Sequence, residues 1–158
     1  MPYLYFDTSA LVKHYVREPG SVWVSSLIDD RTNVIFASDL AIAEVSAAFA
    51  ILNRTSRITR HVLHQALTHF YQDATRRYQL VAATRAIAFR AAELAQQYPL
   101  KGYDAVHLAS GLSQDQFLRR HSEVITFVSG DAQTLTAARA EGLIIDSPFD
   151  HIHLDGHP

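Results

Sequence analysis

The sequence predicts an α/β fold, a three-layer α/β/α sandwich around a mostly parallel central sheet. Three observations lead there. Short apolar strand candidates alternate with helical segments along the chain, the pattern of parallel strands joined by crossover helices. Val124-Ile125-Thr126-Phe127-Val128 is continuous and largely β-branched, as a parallel strand covered on both faces should be. The length of 158 residues, 48% hydrophobic and 19% charged, suits one globular domain with a substantial core.

The elements follow in order. Tyr3-Leu4-Tyr5-Phe6 is a short aromatic strand that stops at Asp7. Residues 9–15 read as a helix with Thr8 or Ser9 as N-cap. Glu18-Pro19-Gly20-Ser21 breaks the chain before a short apolar helix over 22–28. Residues 34–37 form a second strand, and Ser38-Asp39 caps a long apolar helix over 40–53. Thr59 opens a helix that runs to 77, and 79–81 is a short strand. Residues 84–97 place Ile87, Ala91, Leu94 and Ala95 on one stripe, and Pro99 follows. Helix is expected over 103–112, strand over 124–128, helix over 131–141 closed by Gly142, and strand over 143–145. Residues 1–147 are read as one domain. Residues 148–158 show no periodicity and are expected to be an irregular surface tail.

Composition removes several function classes. With no cysteine there is no disulfide scaffold, thiolate zinc site, iron–sulfur cluster or cysteine nucleophile. Ser9 and Ser129 lack a triad context, and neither G-x-x-x-x-G-K-[ST] nor G-x-G-x-x-G occurs. No apolar run approaches the roughly 20 residues needed to span a bilayer. The start, Met1-Pro2-Tyr3-Leu4-Tyr5-Phe6-Asp7, lacks a basic n-region, so a cytoplasmic protein is expected. Fourteen Lys+Arg against sixteen Asp+Glu argues against bulk electrostatic nucleic-acid binding, though not against an enzyme acting locally on nucleic acid.

Four acids stand out from the polar surface. Asp7 and Asp131 directly follow strands. Glu44 is the only charge between Leu40 and Leu52, and Asp104 lies in Gly102-Tyr103-Asp104-Ala105-Val106-His107. Taken singly, Asp7, Asp104 and Asp131 have a simpler account as N-caps or first-turn acids. Glu44 does not, because a lone carboxylate on an apolar helix must find a partner or a proton. Ligands of parallel sheets bind beyond the carboxyl ends of the strands, where Asp7 and Asp131 fall. Four anions meeting there would repel and raise one another's pKa. A hard divalent cation, Mg²⁺ or Mn²⁺, resolves that conflict and equips the site for phosphodiester hydrolysis. One ion and two ions are both compatible with the sequence.

The segments Asp7-Thr8-Ser9-Ala10-Leu11-Val12-Lys13, Leu40-Ala41-Ile42-Ala43-Glu44-Val45, Tyr103-Asp104-Ala105-Val106-His107-Leu108-Ala109 and Ser129-Gly130-Asp131 with Leu135 resemble the PIN-domain nucleases, above all the VapC-like toxins of bacterial toxin–antitoxin pairs. Four motifs in the family's order cover nearly the whole chain. The resemblance implies a metal-dependent endoribonuclease in which Asp7, Glu44, Asp104 and Asp131 form the acidic quartet. It implies supporting roles for Ser129 near the metal and for Thr8 or Ser9 in positioning. It further implies an RNA substrate, a cognate antitoxin and a homodimer. Two departures stand out: Ala132 replaces a basic residue common after the fourth acid, and the tail with His151, His153 and His157 lies outside the family pattern.

Other groups carry two readings each. His107, three residues after Asp104, is either an acid/base or orienting group or a hydrogen-bonded core histidine. Lys13, Arg54 and Arg57 are candidate phosphate contacts, although solvated surface accounts for them too. The pairs Arg76-Arg77 and Arg119-Arg120 read the same way. His61, His64 and His69 share a helix without H-E-x-x-H spacing, which excludes a zincin. The tail histidines are either transition-metal ligands or part of a mobile end. The helices over 22–28 and 40–52 carry more apolar residues than one core needs, as a dimer face or partner groove would.

Overall fold

A computed structural model describes residues 2–156. The described residues form five strands and seven α-helices: β1 (Tyr3–Phe6), α1 (Thr8–Tyr15), α2 (Ser21–Asp29), β2 (Val34–Ser38), α3 (Ala41–Arg54), α4 (Arg60–Arg76), β3 (Tyr78–Val81), α5 (Arg85–Gln97), α6 (Gly102–Arg119), β4 (Ile125–Val128), α7 (Ala132–Ala140) and β5 (Ile144–Asp146). The strands make one parallel sheet in the order β3-β2-β1-β4-β5.

The pleat of β1 divides the core into two. Leu4 and Phe6 face one way, into a core with Leu11, Val24, Val45, Phe49 and Phe70 of α1 to α4. Tyr5 faces the other way, against Ile87, Leu94, Leu108, Phe127 and Ala138, from α5, α6, β4 and α7. Successive side chains of a strand point to opposite faces, so each strand feeds both helix layers and the α/β/α sandwich results.

Several boundaries differ from expectation, for identifiable reasons. Asp7, not Thr8 or Ser9, caps α1, its carboxylate accepting from the Ala10 amide. Helix α3 has no side-chain cap; the Ser38 hydroxyl instead accepts from the amide of Leu40, the N-cap residue itself. Helix α6 continues seven residues past the expected end at 112, because Asp115 is buried and accepts from the Ile125 amide while pairing with Arg119. The irregular tail is a correction too. Pro148–Asp155 form a 3₁₀ helix whose Asp155 accepts from the Gly20 and Val22 amides at 2.6 and 3.1 Å, capping α2. His151 stacks on Trp23 at 4.0 Å and reaches Asp146 at 2.8 Å, so it is held rather than mobile. His157 lies outside the described residues.

Candidate active site

The sheet order reverses direction between β1 and β4. Connections leave β1 toward β2 on one side, and β4 returns on the other, which opens a crevice at their carboxyl ends. Phe6 pairs with Val128 there, and the Asp7 amide donates to the Val128 carbonyl at 3.2 Å. The residue after each strand is therefore brought beside the other: Asp7 next to Ser129.

Asp7 is buried and fully engaged. The Ser9 hydroxyl donates to Oδ1 at 2.6 Å, the Ala10 amide donates to the same oxygen at 3.0 Å, and the Ser129 hydroxyl donates to Oδ2. Both hydroxyls also accept from the loop that carries Asp131. The Gly130 amide donates to Ser9 Oγ at 2.8 Å and the Asp131 amide to Ser129 Oγ at 2.9 Å. Two serines thus tie the first acid to the backbone of the fourth. Gly130 fits this approach because a Cβ there would sit 3.3 Å from Ser9 Oγ. Asp131 is fixed in turn as the N-cap of α7, accepting from the Thr134 amide at 2.7 Å.

Glu44 finds its partners across the fold rather than on its own helix. His107 Nε2 lies 2.6 Å from Oε1, and the Thr8 hydroxyl donates to the same oxygen at 3.2 Å. On the far side of the buried ring, Nδ1 is 3.2 Å from the Tyr5 hydroxyl. With the ring proton on Nε2 and donated to Glu44, Nδ1 accepts from Tyr5, and the line Tyr5–His107–Glu44 is satisfied throughout. The helical spacing had set His107 beside Asp104; the hydrogen bonds join it to Glu44 instead.

The electrostatics record the convergence. Burial pushes the Asp7 carboxyl above its ordinary range, against the lowering effects of His107 and the serine hydroxyls. Asp104, in the first turn of α6, is half-buried and also raised, by desolvation first and then by Asp131, Asp7 and Glu44. All three other acids therefore act on Asp104. Among the described residues, no three of the four bring carboxylate oxygens within 4.8 Å of one another, so the quartet lines a crevice rather than closing on a point. The donors are hard oxygens throughout. Raised carboxyls in such a set suit a hard divalent cation, which would offset their mutual repulsion. A cleft of about 560 Å³ opens alongside, lined by Gly130, Ala132, Leu135, Arg139 and Asp146.

The crevice gathers eight of the residues singled out from sequence: Asp7, Thr8, Ser9, Glu44, Asp104, His107, Ser129 and Asp131. It does not gather Lys13, Arg54 and Arg57. The Lys13 side chain is buried, paired with Glu18 at 3.3 Å and set over the Phe149 ring, so it is not the open phosphate contact expected. Arg54 ends α3 ten residues after Glu44, about 15 Å along the axis, and Arg57 lies beyond it. Arg77, from one of the basic pairs, is tied to the carbonyls of Ile28, Asp30 and Asn33. Tyr5 is the site residue that sequence reasoning missed. Its signal is parity: it points to the face opposite Leu4 and Phe6, the face covered by α6.

Residues 4–127 match the PIN domain family, a span that includes Asp7, Glu44 and Asp104 and stops short of Asp131. The chain is 39% identical over 115 residues to Ribonuclease VapC45 of Mycobacterium tuberculosis (strain CDC 1551), an alignment spanning 72% of this chain and 77% of that protein. Its fold is similar to the crystal structure of PAE2754 from Pyrobaculum aerophilum, with a TM-score of 0.66 at 16% identity over 98% of this chain and 88% of that one. It is also similar to VapBC2 from Rickettsia felis, solved bound to a DNA fragment from their promoter, with a TM-score of 0.60 at 15% identity over 92% and 98% of the two chains. A family match running from β1 into β4, joined to that level of identity with a VapC ribonuclease, makes this chain a member of the PIN-domain family, among its VapC-like nucleases.

Proposed function

We propose that the chain is a Mg²⁺- or Mn²⁺-dependent endoribonuclease, the cytoplasmic toxin of a toxin–antitoxin pair, in which Asp7, Glu44, Asp104 and Asp131 hold the metal. The observation that carries this reading is the β1/β4 crevice, where Ser9 and Ser129 tie Asp7 to the backbone of Asp131 and the charges of Asp7, Asp131 and Glu44 all act on half-buried Asp104. A hard divalent cation bound there supplies Lewis-acid neutralisation of the phosphoryl oxygens and acidifies attacking water.

The chain's own groups do the rest. The Ser9 and Ser129 hydroxyls hold both Asp7 oxygens in one orientation, so its charge is aimed without reorganisation. His107, braced by Tyr5, fixes Glu44. Asp104 is half-exposed in the first turn of α6, which leaves its carboxylate open to take the proton from water as the new P–O bond forms. The bond to the leaving ribose oxygen breaks in line, and that oxygen is protonated from solvent.

An antitoxin and a second copy are the proposed protein partners. An apolar cleft of about 480 Å³, lined by Leu40, Ala88, Ala92, Tyr103 and Val106, opens beside the start of α6. A partner helix seated there would lie next to Asp104. Val22, Ile42 and Ile51 are exposed on α2 and α3, apolar surface that suits a dimer. No helix among the described residues is long and apolar enough to cross a membrane.

Induced expression tests the role. Wild-type chain should arrest growth with loss of intact RNA, co-expression of the neighbouring small gene should relieve it, and Asp7→Ala should be harmless. Arrest of equal depth by Asp7→Ala would overturn the proposal. RNA cleavage without arrest would leave a PIN-type nuclease of RNA processing, not a toxin.

A further inference from the structure

A second cluster of metal-ligating side chains lies at the other end of α1. His14 is near the end of that helix, six residues and about 9 Å along the axis from Thr8 at the acidic crevice. Helix α4 runs beside it and presents His69 and Asp73 one turn apart on the same face. His14 Nε2 lies 3.8 Å from Asp73 Oδ2, and His69 Nε2 lies 3.5 Å from the same oxygen. Among the described residues, these three are the one group of His, Asp or Glu whose ligand atoms all lie within 4.8 Å of one another.

We propose that His14, His69 and Asp73 form a second metal site, built for a borderline transition cation such as Zn²⁺ and separate from the acidic crevice. Three arguments carry it. Bonds of about 2.0–2.1 Å in a tetrahedral shell put neighbouring ligand atoms about 3.3 Å apart, so the two His–Asp pairs need to move by only a few tenths of an ångström. The ligands are already oriented. Ser25 Oγ lies 3.0 Å from His14 Nδ1; a proton held there leaves the Nε2 lone pair facing Asp73. The Tyr15 hydroxyl donates to Asp73 Oδ2 at 2.9 Å, which fixes the carboxylate. Finally, the site has room for a fourth ligand. Asp29, exposed at the end of α2, has Oδ1 3.9 Å from His14 Nε2, a cleft of about 490 Å³ opens on the His14 and Asp29 side, and His69 is itself exposed to solvent.

The charges around the site are compatible with a cation. Burial holds the His14 pKa below its ordinary value, with His69 and Arg77 adding to the effect and Asp29 and Asp73 opposing it. Arg77, the nearby cation, is tied to the carbonyls of Ile28, Asp30 and Asn33. Nitrogen donors distinguish this cluster from the all-oxygen crevice and select Zn²⁺ over Mg²⁺. Bound Zn²⁺ would join α1 to α4, and through Asp29 to α2.

The test is calorimetric titration of untagged full-length protein with Zn²⁺ in millimolar Mg²⁺, which competes for the carboxylate crevice but not for imidazole. One equivalent should bind, and His69→Gln or Asp73→Asn should weaken it roughly tenfold or more. His151→Gln and His153→Gln should leave it unchanged. Co²⁺ should give the intense visible absorption of a tetrahedral site in the wild type and lose it in His69→Gln. His69 is half-exposed, so that variant keeps its helical circular dichroism. Zn²⁺ affinity in His69→Gln and Asp73→Asn equal to that of the wild type, or no bound equivalent at all, would overturn the proposal.

Discussion

Ser129 joins Asp7 to Asp131, and replacing it by alanine probes how the site is held. The hydroxyl makes two bonds: it donates to Asp7 Oδ2 and accepts from the Asp131 amide at 2.9 Å. Serine and aspartate are both buried, so water does not readily replace the lost partner. A hydrogen bond to a charged group contributes about 1.5–3 kcal/mol and a neutral one about 0.5–1.5 kcal/mol. Ser129→Ala should therefore destabilise the protein by about 2–4 kcal/mol, a fall in Tm of roughly 5–15 °C for a chain of this size. The assay is urea unfolding at neutral pH without divalent metal, followed by fluorescence of the single tryptophan, Trp23. Ser129→Thr keeps the hydroxyl and should recover most of the loss. Because the Ser129 proton favours the Asp7 carboxylate, Ser129→Ala should also raise the Asp7 pKa further. A destabilisation below about 0.5 kcal/mol, the scale of a neutral surface change, would refute the bridging role.

Asp7 and Asp104 are both raised in the folded chain, so each binds protons more tightly there than when unfolded. Their contribution to metal-free stability should then be largest below the ordinary carboxylate pKa and be lost as pH rises through the folded values. The difference in urea midpoint between the wild type and Asp7→Asn or Asp104→Asn should follow that pH dependence. His107→Phe removes the partner that Glu44 reaches at 2.6 Å and should cost about 2–3 kcal/mol, less than a fully buried pair because Glu44 is partly exposed. Tyr5→Phe should cost about 1 kcal/mol, since it removes one hydrogen bond and leaves the ring packing intact; a double-mutant cycle on Tyr5 and His107 checks both values by their coupling.

The sheet and the acids were legible because each interrupts an apolar pattern. Asp7 ends an aromatic strand, Glu44 breaks an apolar helix, and Ser129-Gly130-Asp131 follows the strongest strand. Local periodicity located them, and the rule for parallel sheets placed the crevice. Features resting on contacts distant in sequence were not legible. Glu44 is answered by His107, sixty-three positions away, and His107 by Tyr5, one hundred and two positions away. Polar residues after Leu112 stay helical because Asp115 is held by the amide of Ile125. The last turn is ordered because Asp155 caps a helix that begins at Ser21, a partnership that no local pattern of Pro148–Asp155 encodes. Lys13 looked like a surface cation and proved buried for the same reason, through Glu18 and Phe149.

Cleavage of bacterial total RNA by Asp104→Asn, beside the wild type and with saturating Mg²⁺ or Mn²⁺, decides whether the acidic crevice is the hydrolytic site. Asp104 is half-exposed at the start of α6, so the substitution removes its charge without opening the core. The wild type should cleave in a metal-dependent way that chelation abolishes, and the variant should lose roughly 100-fold or more, the scale of a proton-transfer group. Cleavage by Asp104→Asn at the wild-type rate would contradict that assignment.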